Sequence, residues 1–254
     1  TVQDLKIVGG RYGIVASDAI GSSSHITVEN VELTGSSGAA IFFDEVQDAI
    51  TLRDVEVHDI LSNSAHAIYL QSTNTLIEGG SVYDVGRALY VSTATTLVDG
   101  LEVYGSTGST SLATVEARYG AHLTNLTVRD NATTGVQVYD AGTTISDSLI
   151  YGNNKNVAIT NGIVRDNTIY GANIGVEMTG GVVEGNRIFD NAQGIYMRNG
   201  DLMRNQIYSN EAGVNASAQG SVTPLDIRQN LVYNNTNYGI TVRSGANHQI
   251  FGNT

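Results

Sequence analysis

Cysteine and tryptophan are missing from the 254 residues, and proline occurs once. Without cysteine there is no disulfide, no thiol nucleophile and no cysteine-ligated zinc, so burial and backbone hydrogen bonds must hold the fold. Basic residues are scarce: 13 Lys and Arg stand against 25 Asp and Glu, for a formal charge of -12. That balance repels nucleic acid and anionic lipid, so neither nucleic acid nor membrane is expected as a partner. No run approaches the roughly 18 consecutive apolar residues of a membrane span. Yet 41% of the residues are hydrophobic, too many for a disordered chain.

What is present is a repeat. Aliphatic residues that tend to precede an aromatic recur as Ile7, Leu33, Val57, Val82, Val103, Val128, Ile150, Ile169, Ile188, Ile207, Val232 and Ile250. Three consecutive steps, from Ile150 to Ile207, are of 19 residues, and longer steps in the N-terminal half read as loop insertions. Five residues before eleven of the twelve anchors lies a second aliphatic column, from Val2 and Val28 through Val164 to Ile227. After each anchor, apolar residues alternate, as in Val136 and Val138 or Val176 and Met178, which is the period of a strand. Units this short must stack on one another to close a core. The expectation is therefore an all-β fold, a single right-handed parallel β-helix of about twelve turns over residues 1–254. The pattern is in register by Val2 and runs to Asn253 without an amphipathic cap, so the chain is expected to be part of a longer one.

Two further columns are polar. Asn167, Asn186, Asn205 and Asn230 occupy consecutive turns as an expected amide ladder, while Asn131, Asn153, Asn191, Asn210, Asn235 and Asn253 are expected at turns. Tyr83, Tyr104, Tyr151, Tyr170, Phe189, Tyr208, Tyr233 and Phe251 follow the anchors in a line, where ring stacking gives a structural reason for them.

Chemistry is expected on the outward side of the strand that follows each anchor. One mixed patch appears there: Tyr90, Glu116, Arg118 and Tyr139, with Phe42, Tyr69, Asp44 and Gln71 beside it. An arginine can clamp a uronate carboxylate in bidentate fashion, Tyr or Glu can move a proton, and aromatic faces suit sugar rings. Arg118, Tyr139, Glu116 and Tyr90 are thus the catalytic candidates, and Phe42, Tyr69, Asp44 and Gln71 the substrate-binding ones. The segments at about 60 to 66 and 105 to 113 are expected to wall the groove. The five histidines are dispersed, and no zinc, phosphate-loop or EF-hand spacing occurs. No metal or other cofactor is expected, and calcium held by Asp44 and Glu45 has no motif behind it.

The segments Ile26-Thr27-Val28-Glu29-Asn30-Val31-Glu32-Leu33 and Ile50-Thr51-Leu52-Arg53-Asp54-Val55-Glu56-Val57-His58-Asp59 resemble the repeats of secreted β-helix proteins acting on polysaccharides, especially bacterial mannuronan C-5 epimerases and related alginate lyases. That resemblance implies an extracellular or cell-surface module that binds, and cleaves or epimerises, an acidic polysaccharide such as alginate. The family's Tyr-Gly-Phe-Asp-Pro-His-Glu stretch aligns with Ala39-Ala40-Ile41-Phe42-Phe43-Asp44-Glu45, so its Tyr, Asp and His fall on Ala39, Phe42 and Asp44, and its next-turn Asp on Gln71. The epimerase residues do not carry over. A non-catalytic stalk or adhesin and a phage tail-spike segment are the alternatives, and the oligomeric state is left open.

Overall fold

The computed structural model describes residues 1–60, 62–109, 112–218, 225–243 and 248–254. Each turn carries up to three short strands, typified by Ile163–Arg165, Thr168–Tyr170 and Ile174–Met178. A residue at positive φ bends the chain between the first two, here Asp166 at 57°. Asp and Asn tolerate that conformation better than other side chains, which explains Asp4, Asn30, Asp54, Asn125 and Asp147 at the same bend. First strands pair in parallel only with first strands of the neighbouring turns, second with second and third with third. The third strands make one sheet of eleven. The only helix among the described residues is the 3-10 turn Asp18–Ile20.

The expected right-handed parallel β-helix is therefore present, with eleven full turns and the first strand of a twelfth. The aliphatic columns are its core: Val164, Ile169, Val176 and Met178 are fully buried, as are their counterparts in neighbouring turns. Ile250 changes column. It pairs with Ile227 in the first-strand sheet rather than following Val232, because the step from Ile227 to Ile250 contains a whole turn. Phe251 accordingly faces Arg228 and lies outside the line of rings. That line is otherwise continuous from Tyr151 through Tyr170, Phe189 and Tyr208 to Tyr233, with centroids 4.8 to 5.1 Å apart. A second stack runs from His58 through Tyr83 to Tyr104, where Arg129 lies over the ring at 4.2 Å.

Both asparagine columns point inward. Asn186 donates from Nδ2 to Asn205 Oδ1 at 3.0 Å and to the Val164 carbonyl at 2.9 Å, while its Oδ1 accepts from the Asn167 backbone N–H at 2.9 Å and from Asn167 Nδ2 at 3.0 Å. Asn253 extends this ladder through Asn230 instead of joining the other column. The members of the other column are not at positive φ; the residue before each takes that conformation, as Asp130, Asp190 and Ser209 do. Their amides form a second ladder, with Asn191 donating to Asn210 and Asn210 to Asn235 at 3.0 Å.

Glycine at the second position of the third strand is forced by that ladder. A Cβ on Gly194 would sit 2.8 Å from the Gly213 carbonyl oxygen and 3.0 Å from the Asn210 amide. In the seventh turn Asn156 stands where this glycine would be, and in the eighth Ala172 stands where the ladder asparagine would be. The two residues have exchanged tasks. Asn156 Oδ1 accepts from Asn153 Nδ2 at 2.9 Å and its own amide donates to the Tyr170 carbonyl at 2.8 Å, filling the space left by the alanine.

Candidate functional site

The outer face of the third-strand sheet combines stacked rings with a nearly buried ion-paired cluster. Strand register places Phe42, Tyr69, Tyr90, Glu116 and Gln137 in one row across five turns. Phe42, Tyr69 and Tyr90 stack in near-parallel fashion, with centroids 5.1 and 4.6 Å apart, and Tyr12 adds a ring tilted at 44° against Phe42. Stacked rings cover one another's faces. A sugar would meet the edges of Phe42 and Tyr69 rather than the flat faces the sequence reading assigned it.

Beside this stack is a cleft of about 380 Å³ lined by Arg11, Tyr12, Phe42, His66 and Tyr69, with the backbone of Gly38 and the 64–65 segment as walls. The segment at 60–66 thus contributes to the wall as expected, although Leu61 lies outside the described residues. The 105–113 segment does not line the cleft. Its Thr107 N–H donates to Val85 and its Ala113 carbonyl accepts from Arg87 Nε; residues 110–111 lie outside the described residues.

Glu116 and the two arginines form the charged part of the patch. The carboxylate is ion-paired with Arg87, and both side chains are nearly buried. Arg118 Nε remains 3.8 Å from the other carboxylate oxygen, buried and without a hydrogen-bond partner. Its guanidinium instead lies over the Tyr139 ring at 3.7 Å from the centroid, a cation–π contact. Burial and the Glu116 charge push the Tyr139 phenol above its usual range, so it is a proton donor at neutral pH. Burial likewise pushes the Tyr69 phenol up, with Tyr90 adding to it. His66 is 6% exposed, its Nε2 has no hydrogen-bond partner, and burial reinforced by Arg87 and Arg118 holds the ring down to about 3. It is therefore a neutral imidazole throughout the physiological range.

The structure brings Arg118, Tyr139, Glu116, Tyr90, Tyr69 and Phe42 onto one face, as their spacing suggested. Asp44 is engaged elsewhere: its carboxylate accepts from the Asp18 backbone N–H at 2.7 Å and from Gln47 Nε2 at 3.3 Å, tying two loops together. Gln71 lies one strand further along, its backbone N–H bonded to the Phe43 carbonyl, and neither residue lines the cleft. His66 and Arg87 were missed. Both open a third strand, just before the small residue where the chain bends, and there strict alternation does not describe the direction of the side chain. Lys155 is missed for the same reason and reaches Glu177 of the next turn.

Charge is segregated as well. The third strands and the residue after each carry five cations, Arg87, Arg118, Lys155, Arg198 and Arg243, against three carboxylates, Asp44, Glu116 and Glu177. A molecule of charge -12 therefore turns a locally cationic strip to solvent. No group of His, Asp and Glu able to hold a metal occurs among the described residues. No helix among them is long and apolar enough to cross a membrane.

A family model described as a right-handed beta helix region matches residues 1–156 and 111–254. The A-module of a mannuronan C-5 epimerase, AlgE4 of Azotobacter vinelandii, superposes with a TM-score of 0.60 at 14% identity, covering 96% of this chain and 80% of that one. A mutant tailspike protein of E. coli bacteriophage HK620, solved in complex with a pentasaccharide, superposes with a TM-score of 0.53 at 11% identity, covering 83% of this chain and 47% of that one. At these identities the likeness is one of fold. No curated protein matches the sequence.

Proposed function

We propose, from the premise that the chain belongs to the right-handed β-helix family, that it binds a linear acidic polysaccharide, such as alginate, along the outer face of its third-strand sheet. The observation that carries this reading is Arg118, whose guanidinium rests on Tyr139 at 3.7 Å while 29% of its side chain stays accessible. An arginine held by its flat face keeps its N–H edge for a carboxylate. The Tyr139 phenol supplies a donor next to it, and the cleft lined by Tyr12, Phe42 and His66 takes an adjoining sugar ring. The neutral His66 offers a hydrogen bond to a hydroxyl without competing for the carboxylate. The two structural neighbours named above, an epimerase of mannuronan and a tailspike in complex with a pentasaccharide, support a carbohydrate ligand in general. Such a ligand suits a protein working outside the cell or at its surface.

The reading is one of binding. Glu116 is committed to Arg87 and Tyr139 is held protonated, so neither is prepared as a base. Calorimetry with alginate oligomers tests it. The parent should bind, and Arg118→Ala should weaken binding on the order of tenfold or more, the worth of a charged hydrogen bond of about 1.5 to 3 kcal/mol. Absorbance from unsaturated uronate ends would add cleavage to binding. Absence of binding to any acidic or neutral glycan would leave a structural stalk as the better description.

A further inference from the structure

The grouping of Arg87, Glu116, Arg118 and Tyr139 has a counterpart three turns further along the same face. Lys155 opens its strand at the position Arg87 occupies in its own, and pairs with Glu177 of the next turn as Arg87 pairs with Glu116. Glu116 and Glu177 hold the same row of the sheet, connected through Gln137 and Ala158. A second arginine follows in each case: Arg118 at 3.8 Å from its carboxylate and Arg198 at 3.9 Å. Both distances exceed hydrogen-bonding range, so in each group one cation neutralises the carboxylate and the other keeps its terminal N–H groups to offer, Arg198 donating its Nε to the Tyr196 hydroxyl at 3.3 Å. Both arginines also lie against a tyrosine, Arg118 over Tyr139 at 3.7 Å and Arg198 over Tyr196 at 5.1 Å. Between Glu116 and Glu177 the row itself is uncharged, and a shallow cleft of about 180 Å³ is lined there by Gln137, Ala158, Thr160 and Thr179 together with Lys155 and Glu177.

We infer that Lys155, Glu177, Tyr196 and Arg198 form a second station for a carboxylate or sulfate of the same polymer, and that the polymer lies parallel to the rod axis so that one chain occupies both stations. The inference rests on the binding reading given above. Strand spacing sets its geometry. Glu116 and Glu177 are three strands apart, roughly 14 Å, and Arg118 and Arg198 four strands apart, roughly 19 Å. A chain running across the rod, along the strands, would reach only one of them. Arg198 is more exposed than Arg118, with 53% of its side chain accessible against 29%, so the second station is the weaker and the more sensitive to salt. It acts by tethering: a ligand already held at Arg118 meets Arg198 at high effective concentration.

Oligouronates prepared from alginate, one a disaccharide too short to bridge the stations and one an octasaccharide, separate the outcomes. Arg198→Ala should weaken octasaccharide binding on the order of tenfold or more while leaving the disaccharide unchanged, whereas Arg118→Ala should weaken both. Circular dichroism and the melting temperature of each variant report that the fold is kept. If Arg198→Ala binds the octasaccharide as the parent does, while Arg118→Ala does not, the second station is excluded and the binding reading stands. If the parent binds neither oligouronate, both fall together. Octasaccharide and disaccharide binding the parent with equal affinity would also overturn the inference, since bridging must favour the longer chain.

Discussion

At the scale of the residue, the asparagine ladders show how completely a buried amide can be satisfied by stacking identical turns. Each Asn receives the backbone N–H of the preceding turn and returns a proton to a carbonyl, so removing one leaves several partners stranded. Asn186→Leu should lower stability by about 1 to 3 kcal/mol, measured by urea unfolding, because Asn167 loses the acceptor for two donors and the Val164 carbonyl loses its donor. A variant as stable as the parent would mean that the ladder does not contribute. Four of these asparagines were legible in the sequence as an inward ladder, because they fall at one offset from a clear aliphatic column. The others were not, since the offset alone could not separate the residue at positive φ from the inward residue after it. The exchange between Asn156 and Ala172 was hidden as well: it couples two positions in different turns that only the packing brings together.

At the scale of the element, each strand is too short to have an identity of its own and takes one from its neighbours above and below. The aliphatic columns revealed the sheets because the apolar period survives every insertion. Arg87 and Lys155 escaped because the chain bends beside them. The second-strand stack adds a titratable member, His58, between Glu32 and Asp59, with Nε2 3.0 Å from Glu32 and Nδ1 2.7 Å from Asp59. Burial lowers its pKa, but the two carboxylates outweigh that and leave it raised. A raised folded value means that the protonated ring favours the native state. This contribution is complete below the unfolded pKa of about 6.5 and is lost as pH rises through the folded value. Urea midpoints should therefore decline over the pH range just above 6.5, and His58→Gln should flatten the decline. A parent midpoint constant across that range would count against the pairing.

At the scale of the whole molecule, the stacking order has a mechanical meaning. Strands lie across the rod, and in both sheets each turn is paired only with the turns on either side of it. A pull applied at Thr1 and Thr254 therefore loads the hydrogen bonds of an end turn one after another instead of shearing a whole sheet at once. In a single-molecule force experiment the rod should come apart turn by turn, at low and similar forces. Each 19-residue turn, the separation of Asn186 and Asn205, should release roughly 65 Å of chain, and each 25-residue turn, the separation of Asn205 and Asn230, roughly 85 Å. One large drop releasing the full contour length would show instead that the two amide ladders bind the turns into a single mechanical unit. With turn-by-turn release, the lengths of successive steps would spell out the insertions in the order in which the chain carries them.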